Sequence, residues 1–169
     1  DYNFNEKHQR NGFGIEGKSS LFDLTSNFYN AISNEKTTDD GTEEALDGWD
    51  LRMDYHIPVK VDVDIFANFF EFENNKKTYK QEGNQIGISS TFNNINLELG
   101  YQDDNKGNDG GFAKIGYIIN FGKENKAVPK EIYLTKMVSI KERLYEPVKR
   151  ENKIRLVKIS STGVSVSGF

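Results

Sequence analysis

The stretch Trp49-Asp50-Leu51-Arg52-Met53-Asp54-Tyr55-His56-Ile57 alternates apolar and polar residues without exception. A chain whose every second side chain is alike makes a strand with two unlike faces. The same period recurs on either side of it. Val61, Val63, Ile65, Ala67 and Phe69 alternate with Asp62, Asp64, Phe66 and Asn68, and Ile95, Leu97, Leu99 and Tyr101 alternate with Asn96, Glu98, Gly100 and Gln102. Ala113, Ile115, Tyr117, Ile119 and Phe121 face away from Lys114, Gly116 and Asn120. With residues 11–18, 21–29 and 83–92 added, the pattern predicts seven strands and no convincing helix among them.

The connections alternate too. Short turns fall at 17–20, 58–60 and 93–94, whereas long polar loops fall at 31–47, 71–82 and 102–110. In an up-and-down sheet every second connection lies at the same end, so all short turns gather at one end and all long loops at the other. Outer-membrane barrels have this asymmetry. A soluble sandwich or lipocalin-like barrel shares the strand period. The polar face tips the balance slightly toward the membrane barrel, because several strands carry two or more ionisable or amide groups there, and a lipid-bounded barrel turns such groups into a wet interior.

Composition narrows the classes further. The chain has 169 residues, enough for one ordinary domain, and no cysteine, which removes disulfide scaffolds and thiolate metal sites. Apolar residues make up 36% and the mean hydropathy is −0.70, so no stretch approaches a membrane-spanning helix. The opening Asp1-Tyr2-Asn3-Phe4 has neither the basic start nor the apolar run of a secretory signal, so the chain is expected to be cytosolic or a fragment. Twelve Phe, 8 Tyr and Trp49 beside 15 Gly and 3 Pro favour strands with tight turns over disorder.

Charge divides the chain. Residues 1–122 hold 11 Lys+Arg against 21 Asp+Glu, whereas residues 123–160 hold 11 against 5. This shift, just after Phe121-Gly122, marks the main boundary. The expected organisation is a strand domain over 1–122, a basic linker over 123–160, and a passenger start or flexible tail over 161–169.

The ordered residues resemble a known family. His8-Gln9-Arg10-Asn11-Gly12-Phe13-Gly14-Ile15-Glu16 resembles the His-Gln-Arg-x-Gly-x-Gly-x-Glu stretch of the inverse autotransporter β-domain, the family of intimin and invasin. Leu24-Thr25-Ser26-Asn27-Phe28-Tyr29, Glu43-Glu44, Asp47-Gly48-Trp49-Asp50-Leu51-Arg52 and Ile57-Pro58 follow in the family's order. So do Asn84-Gln85-Ile86-Gly87-Ile88, Leu99-Gly100-Tyr101 and the stretch from Arg143 to Ile154. Ala45-Leu46 stands where the family has Arg-Pro, and Ala67-Asn68-Phe69-Phe70 where it has Glu-Gln-Tyr-Phe.

The resemblance implies an all-β, antiparallel, up-and-down transmembrane barrel of twelve strands in the Gram-negative outer membrane. This chain would supply the last seven strands, a short helix and an extended linker, with a C-terminal adhesin passenger displayed on the cell surface. Implied partners are outer-membrane lipid, the barrel-assembly machinery with periplasmic chaperones, and a host-cell or surface receptor met through the passenger. Because the last strand ends on the periplasmic side, the passenger must return through the pore.

Residues 114–121 fit the polar-x-Gly-x-x-apolar-x-aromatic pattern of a final strand read by the assembly machinery, which makes Lys114, Gly116, Ile119 and Phe121 a candidate assembly signal. Such a strand pairs by its open edge during insertion. Tyr133, Met137, Ile140 and Leu144 have helical spacing between Pro129 and Pro147, predicting a helix over 130–145. On the strand phasing, Glu16, Asp23, Asp50, Asp54, Asp62, Asp64 and Glu98 share the polar face with only Lys18, Arg52 and Lys114. That acidic wall is expected to hold a linker bearing Lys149, Arg150, Lys153 and Arg155.

No catalytic constellation is present in the sequence, and neither cofactor nor metal is implied. His8 and His56 lie far apart, and Lys106 breaks the ligand spacing that Asp103-Asp104-Asn105 would begin in a calcium loop. Asp62 and Asp64 share a face as a glycosidase pair would, but read more simply as wall charges. The acidic strand portion argues against a nucleic-acid partner. The reading is therefore a non-enzymatic translocator and anchor; a soluble or periplasmic β-sheet binding module is the alternative.

Overall fold

The computed structural model describes residues 1–2, 7–39, 41–58, 63–92, 94–117, 148–151, 153–160 and 163–167. Its strands are β1 (Arg10–Lys18), β2 (Phe22–Ala31), β3 (Lys36–Thr38), β4 (Gly41–Ala45), β5 (Asp47–His56), β6 (Val63–Glu73), β7 (Lys80–Phe92), β8 (Ile95–Asp104), β9 (Gly110–Tyr117), β10 (Leu156–Ser160) and β11 (Gly163–Ser167). They form two antiparallel sheets. One has seven strands in the order β1-β2-β5-β6-β7-β8-β9, and the other four in the order β11-β10-β4-β3. Among the described residues there is no helix, and the large sheet ends on β1 and β9 without closing.

The seven expected strands are all in the large sheet, with three corrections to the loops, the simplest being that β8 runs to Asp104 and shortens the loop expected at 102–110. Residues 31–47 are not a plain loop, because β3 and β4 fold there as a hairpin. Gly41 permits this hairpin's partner to approach: its φ is 153°, and a Cβ there would collide with the backbone of Ile159 and Ser160 on β10. The expected long loop at 71–82 is also shorter, since β6 runs to Glu73 and β7 begins at Lys80. The pairing continues past the outward apolar stretch to Glu73 opposite Lys80, and on its outer side Lys80 Nζ lies 3.1 Å from Glu71 and 2.8 Å from Glu82. Residues 118–121 and the expected helix over 130–145 lie outside the described residues.

The large sheet is inside-out by the standard of a water-soluble protein. Asp23, Thr25 and Asn27 on β2, Asp50 and Asp54 on β5, and Gln81, Gln85 and Ser89 on β7 are buried. Their apolar neighbours on the other face are exposed, Phe13 by 66%, Met53 by 49% and Ile86 by 58%. An apolar surface of this extent needs a covering of its own kind. Rings border it: Phe22, Tyr55, Phe92 and Tyr117 at the short-turn end, and Phe28, Trp49, Phe69 and Tyr101 at the long-loop end. Aromatic girdles at both edges of an outward apolar band are what a transmembrane barrel presents to lipid.

The band also runs obliquely to the hydrogen bonds. Phe28 lies opposite Trp49, but Trp49 lies opposite Glu71 and the band on β6 starts lower, at Phe69. Phe69 in turn lies opposite Asn84, and the band on β7 starts at Ile86. Strands that cross a flat layer at a tilt produce such a stagger.

Conventional core packing is confined to the long-loop end. There Tyr29, Phe70 and Phe72, from the polar face of the large sheet, pack with Leu46, Tyr79 and Val157. Ala45, Ile154 and Leu156 form a second small cluster with Ala31 against it. The core thus joins the large sheet to the small one.

Candidate functional site

The polar face of β2, β5 and β6 receives a segment from far along the chain. Lys149 Nζ lies 2.8 Å from Asp54 Oδ1 and 3.6 Å from Asp64 Oδ2. Asn27 Nδ2 donates to the Lys149 carbonyl at 3.1 Å and to Asp50 Oδ1 at 2.9 Å. Tyr29 Oη accepts from the Glu151 N–H at 2.8 Å and donates to Asp50 Oδ2 at 2.6 Å. Arg10 stacks over the Tyr29 ring at 4.1 Å and donates to the Glu151 carbonyl at 2.6 Å. An extended segment has backbone donors and acceptors that must be met once it leaves water. Here the polar face meets three of them through side chains.

Beyond Glu151 the segment turns into the core. Arg155 is buried, with its guanidinium 4.4 Å from the Phe70 centroid and 4.5 Å from that of Phe72, and it donates to Gln81 Oε1 at 3.2 Å. Gln81 is held in turn by donating to Asp104 Oδ2 at 2.7 Å. Leu46 N–H donates to the Arg155 carbonyl at 3.0 Å, and from Leu156 onward the segment becomes β10, pairing Leu156 with Ala45 and Ile159 with Thr42. Burial lowers the Arg155 pKa from its ordinary value, yet an arginine still carries its charge at physiological pH. Burial, with the Asp104 charge adding to it, pushes the neighbouring Tyr79 phenol up to about 12, so it stays protonated.

Phenylalanines on the polar face make surfaces for cations. Each lies directly opposite a glycine on the neighbouring strand: Phe72 opposite Gly48, Phe70 opposite Gly83, Phe66 opposite Gly87 and Phe112 opposite Gly100. A Cβ at any of these glycines would meet the ring. The missing side chain therefore lets the ring lie over the backbone, with a face turned to the interior. Arg52 sits 3.9 Å over Phe66 while pairing with Asp54 at 3.0 Å and Glu98 at 2.9 Å, and Lys114 sits 5.3 Å from Phe112. Such contacts strengthen when desolvated.

The residues singled out from the sequence are distributed as follows. Asp23, Asp50 and Asp54 are buried on the polar face, and Glu16, Asp64 and Glu98 are half-buried there. Asp23 and Asp64 flank His56, whose Nε2 is 3.3 Å from Asp23 and whose Nδ1 is 2.6 Å from Asp64. Asp62 lies outside the described residues. Of the linker cations, Lys149 and Arg155 meet the polar face, Arg150 pairs with Asp1, and Lys153 is exposed. Lys114 and Gly116 lie exposed on β9 at the sheet edge, while Ile119 and Phe121 lie outside the described residues. Among the described residues no group of His, Asp and Glu is arranged to hold a metal. His8 instead bonds Ser33 at 2.8 Å and Glu43 at 3.0 Å, joining β1 to the hairpin.

Arg10, Asn27, Tyr29, Gln81, Phe70 and Phe72 were not singled out by the sequence. Counting charges passes over neutral side chains, and starting β1 at Asn11 leaves out Arg10. Carrying the period one residue back along β1 and three residues further along β6 would have placed Arg10, Phe70 and Phe72 on the polar face.

Comparison with known proteins agrees with this architecture. The family model described as inverse autotransporter, beta-domain matches residues 1–152. No curated protein sequence matches the chain. A solved structure described as "Unveiling the Mechanism Behind the in-meso Crystallization of Membrane Proteins" contains a chain similar in fold, with a TM-score of 0.74 and 16% identity. The match covers 97% of this chain and 70% of that one.

Proposed function

The chain belongs to the inverse autotransporter β-domain family of outer-membrane translocators, and from that premise we propose that its large sheet walls a closed barrel that exports and anchors a C-terminal adhesive passenger. The observation that carries this reading is the direction of the segment on the polar face. Lys149 meets Asp54 and Asp64 towards the short-turn end, Glu151 meets Tyr29 and Arg10, and Leu156 onward pairs with the hairpin in the long loop. The segment is thus the linker in transit, entering at the periplasmic end and leaving at the cell surface.

On this reading the polar face is the lumen wall and the exposed apolar band meets lipid. Glu16, Asp23, Asp50, Asp54, Asp62, Asp64 and Glu98 act as its acidic lining, and Lys149, Arg150, Lys153 and Arg155 are the basic counterpart of the linker. Low-dielectric walls concentrate such a field. Lys114, Gly116, Ile119 and Phe121 serve as the signal for the barrel-assembly machinery. The passenger, not the barrel, meets a receptor.

Fractionation and labelling test the reading together. The full-length protein should remain in the outer-membrane fraction until detergent is added. The chain has no cysteine, so a single Ser165→Cys can be probed on intact cells with a membrane-impermeant maleimide, which should label it. Recovery in the aqueous fraction would favour a soluble or periplasmic binding module instead.

A further inference from the structure

The cradle around Arg155 is built more elaborately than a charged wall requires. A summed acidic field would accept any cation at any depth, and exposed pairs contribute little each. Arg155 instead lies buried on the faces of two rings, Phe70 and Phe72, with Gln81 accepting from its NH1. Gly48 and Gly83 lie beside those rings, where any side chain would displace them. A planar guanidinium stacks on such a floor and donates in a fixed fork, whereas a lysine ammonium is a compact, strongly hydrated point charge. The cradle also sits next to the start of a ladder. The Arg155 carbonyl accepts from Leu46 N–H, and the β4–β10 pairing begins at the following residue, with Leu156 opposite Ala45.

The geometry points to an arginine-specific latch that stops the exported linker in one register. Seating Arg155 between the lumen wall and the loop hairpin fixes which linker residue is the first to join β4. This inference rests on the reading of the segment as an exported linker and adds a specificity to it. Without the latch, a slip by two residues keeps the strand's facing unchanged. Such a slip outward or inward would bring Lys153 or Val157, respectively, to the cradle, and only Lys153 carries a charge. The cradle therefore has to tell arginine from a lysine two positions away.

Register can be read directly by cross-linking, because the chain contains no cysteine. Thr42 faces Ile159 across the ladder, and opposed residues lie within disulfide reach. Full-length protein in outer membranes would carry Thr42→Cys with either Ile159→Cys, which reports the native register, or Val157→Cys, which reports the slip that seats residue 153. The native background should favour the 42–159 product. Arg155→Lys keeps the charge and should lower the ratio of native to slipped product about tenfold, close to the value of one well-made interaction. The exchange Lys153→Arg with Arg155→Lys moves the arginine by two residues, and should make the 42–157 product the major one. A residue that merely stabilised the barrel would weaken folding in these variants without moving the register.

Heat-modifiable migration on gels identifies folded barrels, and only folded material is scored. If Arg155→Lys does not fold, Phe72→Leu, which removes one ring of the floor and leaves the linker intact, should lower the same ratio. Unchanged ratios in folded Arg155→Lys or Phe72→Leu, or native register in the exchanged variant, would overturn the latch. Failure of the export reading looks different: Ser165→Cys would then go unlabelled on cells in the otherwise native protein, whatever the cross-linking ratio.

Discussion

Lys149 Nζ stands 2.8 Å from Asp54 Oδ1 although 95 positions separate the two in the chain. Asp54 is fully buried and also accepts from Arg52 at 3.0 Å, so the linker cation completes the neutralisation of a carboxylate that water does not reach. Removing one partner of a buried pair leaves the other unpaired, which costs more than the pair contributes.

Charge reversal along the linker should therefore unseat it. Changing Lys149, Arg150, Lys153 and Arg155 together to Glu is expected to open a conducting path through the barrel in planar bilayers at low salt. Lys149→Glu alone should do much of this, because Lys149 faces Asp54 and Asp64, while Lys153→Glu should do little, because Lys153 is exposed. A reversed linker that blocks current as well as the native one would mean that packing, and not charge, holds it.

Topology gives the second prediction. An epitope inserted beside Asp39, in the turn between β3 and β4, should be labelled on intact cells, and one beside Asn94, between β7 and β8, should be labelled only after permeabilisation. The long loops and short turns occupy opposite ends of the sheet. Reversed labelling would refute the orientation.

The glycine and phenylalanine pairs should be intolerant of side chains. At Gly100 an added Cβ would lie 2.6 Å from the Ile86 carbonyl oxygen and 2.8 Å from the Phe112 ring, whereas at Gly110 nothing lies within 4 Å. Gly100→Val is expected to lose about 1 to 3 kcal/mol through overpacking, and Gly110→Ala to stay within about 0.5 kcal/mol of the parent. Urea unfolding of the barrel refolded in detergent, followed by tryptophan fluorescence from Trp49, would measure both.

A fourth prediction separates assembly from stability. Phe121→Asp and Gly116→Val, at the proposed assembly signal, should reduce the amount of folded protein reaching the outer membrane. The protein that does arrive should show a near-native unfolding midpoint. Normal barrel yield with impaired passenger display would rule out the assembly role.

Much of this fold could be read from the period of the strands alone. The alternation from Trp49 to Ile57 assigned Asp50 and Asp54 to one face and Trp49, Met53 and Tyr55 to the other, and β5 keeps that division. The hairpin at β3 and β4 was not legible, because Lys36-Thr37-Thr38 and Gly41-Thr42-Glu43-Glu44 have no apolar period, and β4 gains its second partner from β10, over a hundred residues later. Pairing between distant segments leaves little local trace in composition. The same holds for the Arg155 site. Its charge is visible in the linker, but the rings beneath it lie past the end of the expected strand, and the glycines that make room for them, Gly48 and Gly83, belong to neighbouring strands.

The outward apolar face has a thermodynamic consequence. Heat capacity of unfolding rises with the apolar surface newly exposed to water, and in this protein most large apolar side chains of the big sheet are already outside. The chain's own contribution is then confined to the small clusters around Leu46, Phe72 and Val157 and around Leu156. Calorimetry in micelles should give a smaller heat-capacity increment per residue than for a soluble domain of this length, and one that varies with amphiphile chain length. Its resistance to unfolding is a joint property of the polypeptide and its surrounding solvent, and would be rewritten by changing that solvent with no change in sequence.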